Sequence, residues 1–287
     1  MFKKINYLLI SFLAPLIGLI SCTPKIEPVL KVAVATNFLT TADTLVEVFK
    51  RSTGIEVLLI SGSSGQLATQ VINGAPYDIF LSADDVSPSK LSSLGFADAQ
   101  TQLTYALGQL VLYGSGDVEQ NLKSGNFLKL ALANPKVAPY GLAADRVINN
   151  LNIRSNVEGK IVYGQNVGQA YGFVKTGNAD LAFVALSQVI DTKKSYWRIP
   201  QSFYSLIMQD AILLESGLTN EAAHDFLSFL SSDEARKIII ESGYEVPQND
   251  RIWAININTK VILGSNSIVT FYWNPIGMVA FLHTFEI

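Results

Sequence analysis

The chain has 287 residues, 49% of them hydrophobic and 16% charged, enough to bury one large core or two medium ones. Its net charge of −3 comes from interspersed acids and bases without a basic stripe, so nothing in it marks a nucleic-acid partner. One cysteine, Cys22, and two distant histidines, His224 and His283, exclude an internal disulfide and leave too few ligands for a zinc site.

The first residues read as an address. Lys3 and Lys4 precede an apolar run over residues 7–20, shorter than the roughly 20 residues of a membrane-spanning helix. Leu19-Ile20-Ser21-Cys22 follows and resembles a bacterial lipobox. Residues 1–21 are therefore expected to be a lipoprotein signal peptide. Residues 22–29 are expected to hold a lipidated Cys22 and a short tether. Lipidation would also remove a free thiol from an oxidising compartment.

Strands and helices then alternate. Residues 31–35 predict a strand, and residues 40–52 a helix with Leu45, Val48 and Phe49 on one face, stopped by Gly54. Residues 55–60 predict a second strand, 66–73 a helix, 78–82 a strand and 90–94 a short helix. This alternation implies a mostly parallel sheet flanked by helices. Residues 103–113 read as one long apolar strand, suited to carrying the chain into a second lobe. There, strands are predicted at 128–133, 160–163 and 180–186, with helices entered at Tyr140-Gly141 and Val167-Gly168. Residues 202–214 are suited to crossing back. Helices follow at 220–230 and 232–242, the second with Asp233 and Glu234 in its first turn, as the helix dipole favours.

Two loops stand out. Ala35-Thr36-Asn37-Phe38 and Ser61-Gly62-Ser63-Ser64-Gly65 each follow a predicted buried strand and open a predicted helix. They aim small hydroxyls and unpaired N–H groups beyond the carboxyl ends of neighbouring strands, where open α/β sheets bind ligands and helix starts bind anions. None of these loops, nor those at Tyr140 and Val167, contains Lys or Arg; the nearest cation by sequence is Arg146. Asp84 and Asp85 are read as turn and capping residues, because an anion cleft excludes carboxylates.

Val34-Ala35-Thr36-Asn37-Phe38, Gly62-Ser63-Ser64-Gly65, the run from Asn73 through Tyr77-Asp78-Ile79-Phe80-Leu81-Ser82 to Asp84, and Gly243-Tyr244-Glu245-Val246-Pro247 together resemble the periplasmic molybdate-binding family, the receptors of molybdate ABC importers. The resemblance runs from about Lys31 to Pro247. It implies an α/β, two-lobed periplasmic-binding-protein fold of type II with the ligand cleft between the lobes. Residues 30–107 with 208–247 would form lobe 1, and residues 108–207 lobe 2.

By motif, the resemblance also implies that Thr36, Asn37, Ser63 or Ser64, Tyr140 and the backbone N–H of Val167 hold the oxyanion, with no cofactor and no direct metal ligand. Tungstate is expected to bind as well. Some members carry a ligand tyrosine where this chain has Phe183, so the hydroxyl of Tyr140 is expected to replace it. On that reading Tyr140→Phe weakens binding by about 1–3 kcal/mol. The implied partners are an ABC permease and, through Cys22, a membrane, with the protein a monomer outside the cell membrane. The alternative is a receptor of the same fold for sulfate or phosphate.

An enzyme is not expected. Neither Ser63 nor Ser64 lies in Gly-x-Ser-x-Gly, and no phosphate-binding Gly-rich motif is present. Residues 248–287 fall outside the resemblance. They are apolar and rich in β-formers, and read either as an added hairpin or, the favoured option, as an extension that does not fold.

Overall fold

The computed structural model describes residues 29–247, together with the backbone of 259–262, 267–274 and 277–284. The leader and Cys22 lie outside the described residues.

The first lobe is built on β1 (Leu30–Ala35), β2 (Val57–Gly62), β3 (Ile79–Ser82), β4 (Leu103–Gly108) and β10 (Ile207–Leu213). Their order in the sheet is β2-β1-β3-β10-β4. The first three are parallel, and β10 runs antiparallel to β3 and β4. Side chains alternate across this sheet as the two-residue period of a strand requires. Val32, Val34, Leu81 and Leu213 face one core with Phe38, Phe49 and Phe226. Ala33, Phe80, Ile212 and Leu214 face another with Leu67 and Leu91. The helices covering these faces include α1 (Leu39–Thr53), α2 (Ser64–Ile72), α3 (Val86–Ser93), α8 (Glu221–Phe229) and α9 (Asp233–Glu241). Gly54 ends α1 in the left-handed conformation, φ 77°, its N–H returning to the Lys50 carbonyl.

The second lobe repeats the plan. Its strands are β5 (Leu110–Gly114), β6 (Leu130–Ala133), β7 (Ile161–Gly164), β8 (Leu181–Ala185) and β9 (Tyr196–Arg198), in the order β7-β6-β8-β5-β9. Again three strands are parallel, and β5 runs antiparallel to β8 and β9. Helices α4 (Val118–Ser124), α5 (Pro139–Asn150), α6 (Arg154–Val157) and α7 (Val167–Lys175) complete this lobe. Each sheet is thus mostly parallel, as the alternation predicts: four strands run one way, and a single strand, β10 in the first and β5 in the second, runs against them. The antiparallel members lie where the chain leaves one lobe and returns to it.

The predicted strand 103–113 is two strands. Gln109 separates β4, in the first sheet, from β5, in the second. A single strand cannot pair in two sheets without a residue at which the pairing changes partner. The Gln109 carbonyl accepts from Leu186 N–H at 2.9 Å, and its side chain bonds Glu245 and Arg198. Glu245 is itself paired with Leu107 through both backbone bonds, 2.7 and 3.0 Å. The Tyr244-Glu245 segment therefore lies along the crossover strand.

In the extension, β11 (Thr259–Ile262), β12 (Ser267–Asn274) and β13 (Gly277–Thr284) pair antiparallel in that order. The hairpin reading and that of an extension that does not fold both concern these residues; the turn expected at Gly264-Ser265-Asn266 lies outside the described residues.

Phe49 joins the helices of the first lobe. It is 2% exposed and meets Phe226 edge-on, with ring centroids 5.1 Å apart. Phe49→Ala is expected to destabilise the protein by about 3–5 kcal/mol, read as a shift in the urea midpoint at unchanged slope.

Candidate functional site

The repeated topology sets four helix starts against one another. In each lobe the outermost parallel strand and the one beside it end at the cleft. β1 leads into the 3-10 turn Thr36–Phe38, β2 into α2, β6 through a short loop into α5, and β7 into α7. One cavity is lined by Thr36, Asn37, Ser63, Ser64, Tyr140 and Val167, the six residues expected from the sequence, with Ala83, Pro139 and Asn166 among their neighbours. No charged side chain lines it. Arg146 is elsewhere, with its guanidinium on the Ser205 hydroxyl.

The two lobes meet around this cavity. Gly65 N–H, in the first turn of α2, donates to the Val137 carbonyl of the second lobe at 3.0 Å. Gly168, the second residue of α7, lies so close to Thr36 that an added Cβ would collide with the threonine methyl.

The adjacent serines have different jobs. Ser63 precedes α2, and its hydroxyl donates to Gln66 Oε1 at 2.9 Å, so its proton is spent on the helix cap. Ser64 is completely buried, and its Oγ accepts from Ala83 N–H at 2.9 Å. With that acceptor site filled from behind, the Ser64 proton is free to turn into the cavity. Nothing in the sequence distinguishes the two, because the choice depends on Ala83, nineteen residues away. Thr36 donates its hydroxyl to the Gly62 carbonyl at 3.0 Å, which ties the first loop to the second.

Asn37 is 3% exposed, and both protons of its amide are engaged, with Gln209 at 2.7 Å and Tyr244 at 3.1 Å. Its backbone N–H, in the first turn of its 3-10 helix, has no helical acceptor. Val167 likewise opens α7, where Asn166 Oδ1 caps Gln169 N–H at 2.9 Å and leaves the Val167 N–H uncapped.

Tyr140 lines the cavity. Its ring is buried, and the phenol oxygen has no hydrogen-bond partner. The oxygen lies against Gly108, where a Cβ would collide with it, and beside the Asn37 side chain. Burial holds this phenol well above its ordinary ionisation range, so it stays neutral. Tyr140 follows Pro139 at the start of α5, which makes its backbone N–H one of the orphan donors of that helix. We propose that this N–H, rather than the hydroxyl expected to replace the tyrosine missing at Phe183, is the donor that Tyr140 offers the cavity. Phe183 itself is core, 1% exposed.

Asp84 accepts from Ser87 N–H at 2.7 Å and from the Ser82 hydroxyl, a turn and helix-start role. His224 is on the surface of α8, its Nε2 2.9 Å from the Leu218 carbonyl. Among the described residues, no group of three or more His, Cys, Asp or Glu is placed to hold a metal ion.

The profile of the bacterial extracellular solute-binding protein family matches residues 30–245. The molybdate-binding protein ModA of Azotobacter vinelandii is 40% identical over 236 residues, 79% of this chain and 93% of that protein. ModA of Rhodobacter capsulatus is 43% identical over 218 residues, 74% of this chain and 86% of that protein. The solved structure of the Azotobacter vinelandii periplasmic molybdate-binding protein aligns with a TM-score of 0.73 at 40% identity, covering 76% of this chain and 100% of that one.

These positions separate side-chain from main-chain donors. Ser64→Ala is expected to weaken oxyanion binding by about 1.5–3 kcal/mol, a charge-assisted bond lost; Ser63→Ala should weaken it less. Tyr140→Phe should not weaken binding. Gly108→Ala should weaken it, and Tyr140→Phe added to Gly108→Ala should recover part of the loss. Calorimetric titration of the five variants reads all of these.

Proposed function

The chain belongs to the molybdate-binding members of the bacterial extracellular solute-binding protein family, and on that premise we propose that it captures molybdate outside the cell membrane and delivers it to the permease of an ABC importer. The observation that carries this reading is the convergence of four helix starts, two from each lobe, on a cavity with no charged side chain among its lining residues. Helix starts supply partial positive charge and unpaired N–H groups, which suit a small dianion. Thr36, Asn37, Ser64, Tyr140 and Val167 are the proposed oxyanion ligands, with Ser63 as the cap that sets Ser64 in place. Neither metal coordination by the protein nor a cofactor enters this scheme.

A ring of donors selects by size and by protonation. An oxyanion that keeps a proton near neutral pH, such as phosphate, brings an O–H that needs an acceptor, and leaving it unmatched is costly. Sulfate is smaller and would stretch the same bonds. Tungstate matches molybdate in size and charge and is a proposed second ligand. The family is one of solute receptors, and no catalytic role is proposed.

The leader pattern and Leu19-Ile20-Ser21-Cys22 support export and lipid anchoring at Cys22, with the binding body working as a monomer. Among the described residues no helix is long and apolar enough to cross a membrane. Opening would occur at the two crossover connections, with residues 30–107 and 208–247 moving against residues 108–207.

The test is a melting scan of the chain from Thr23 onward with sodium molybdate, tungstate, sulfate and phosphate. A ligand at a hundred times its dissociation constant stabilises by about 2.7 kcal/mol, a shift of several degrees. Molybdate and tungstate are expected to give that shift. A shift with sulfate or phosphate in their place would change the proposed ligand, and no shift with any of the four would overturn the proposal.

A further inference from the structure

Ser187 lies outside the cavity lining and outside every loop that the anion reading uses. It sits in the 3-10 turn Leu186–Gln188, directly after β8 in the second lobe. Its hydroxyl crosses to the first lobe and donates to the backbone carbonyl of Asn37 at 2.9 Å. The same carbonyl accepts the Tyr244 phenol at 2.7 Å, and the two hydroxyl oxygens are 3.0 Å apart. Asn37 returns a bond from its amide to Tyr244 and places the other amide proton on Gln209. One residue of the cavity is thus held by three side chains from three remote places: the turn after β8, the Tyr244-Glu245 segment paired to the crossover strand, and β10.

The arrangement has a direction. In a short helix the carbonyls point toward one end and the N–H groups toward the other, and each peptide is planar. Anchoring the Asn37 carbonyl therefore fixes how the Thr36–Phe38 turn presents its N–H groups to the cavity. Tyr244 is suited to this: burial raises its phenol far above neutral pH, so it remains a donor. Its ring packs edge-on against Phe38, centroids 5.2 Å apart, which locks the hydroxyl in place. Gly243, at φ 88°, turns the chain into this position close to Leu186 and Ile190 of the second lobe.

We propose that Ser187 and Tyr244 are positioning residues for oxyanion capture: together they clamp the Asn37 carbonyl from both lobes and so aim the first helix start at the ligand. This rests on the cavity being the anion site. Ser187 holds Asn37 from the second lobe, while Gln209 and Tyr244 hold it from the first. The clamp is therefore complete only when the lobes are together, and it acts on how long the anion is held rather than on how it arrives.

The experiment compares the chain from Thr23 onward with its Ser187→Ala, Ser187→Thr and Tyr244→Phe variants. Three quantities are measured: the molybdate dissociation constant by calorimetric titration, the release rate of radiolabelled molybdate, and the ligand-free melting temperature. Ser187→Ala is expected to weaken binding roughly 3- to 10-fold, the value of one hydrogen bond. The loss should appear as faster release, with the capture rate and the ligand-free melting temperature unchanged. Ser187→Thr should restore most of the affinity. Tyr244→Phe, which keeps the ring packing, should also release faster. Unchanged affinity and release in Ser187→Ala overturn the inference, as does a lowered ligand-free melting temperature with release unchanged. A parent chain that binds no molybdate overturns the functional reading itself, which separates the two failures.

Discussion

The N–H groups in the first turn of a helix have no acceptor within that helix. Four such turns meet at one cavity here, two from each lobe, and the residues that carry them are largely buried when the lobes are together. A buried donor without an acceptor costs about as much as the hydrogen bond it lacks. The site therefore sets a condition on its own closure: the lobes come together at low cost only around a group that accepts from all sides and brings negative charge. A small, fully deprotonated oxyanion meets that condition. A neutral molecule supplies too few acceptors, and a protonated anion brings a donor to a place already full of donors.

Everything that positions this site follows from duplicated topology and from how the chain passes between its two copies. The sheets have the same strand order, so the same two strand ends in each are free to open helices at the cleft. The antiparallel strands of each sheet serve the crossings. Gln109 is where the outgoing strand changes partner, and Gly108 beside it has no side chain, which leaves room for the Tyr140 phenol. The return strand carries Gln209, whose amide reaches Asn37. The connections proposed as the hinge are thus in contact with residues proposed to meet the ligand, without an intervening relay.

Much of this was legible in the chain itself. The loops at Thr36 and Ser63-Ser64, and the helix starts at Tyr140 and Val167, were visible because an apolar strand, a small polar residue and an amphipathic helix occur in that order each time. Local order says which main-chain groups are free, and those expectations met in one cavity. It does not say where a side chain goes once helices pack. Ser64 was indistinguishable from Ser63 until Ala83 was placed against it. The Tyr140 hydroxyl was expected at the ligand because Phe183 lacks one, and nothing local showed that it packs against Gly108. The strand break at Gln109 was hidden because both halves are equally apolar. Ser187 carried no local signal, and Tyr244 stood out only within the Gly243–Pro247 motif without its contact being visible, since they reach Asn37 from 150 and 207 positions away.

That last separation bears on biosynthesis. Tyr244 lies almost at the end of the binding body, yet it secures a residue near its beginning, and Glu245 beside it completes the pairing with the crossover strand. A chain emerging from the ribosome, or threading through an export channel, has all four helix starts available long before it has this fastening. Contacts so far apart in sequence form late, after the loop between them is closed. The clamp proposed at Asn37 is therefore among the last parts of the binding body to form, after the helix starts that it would aim.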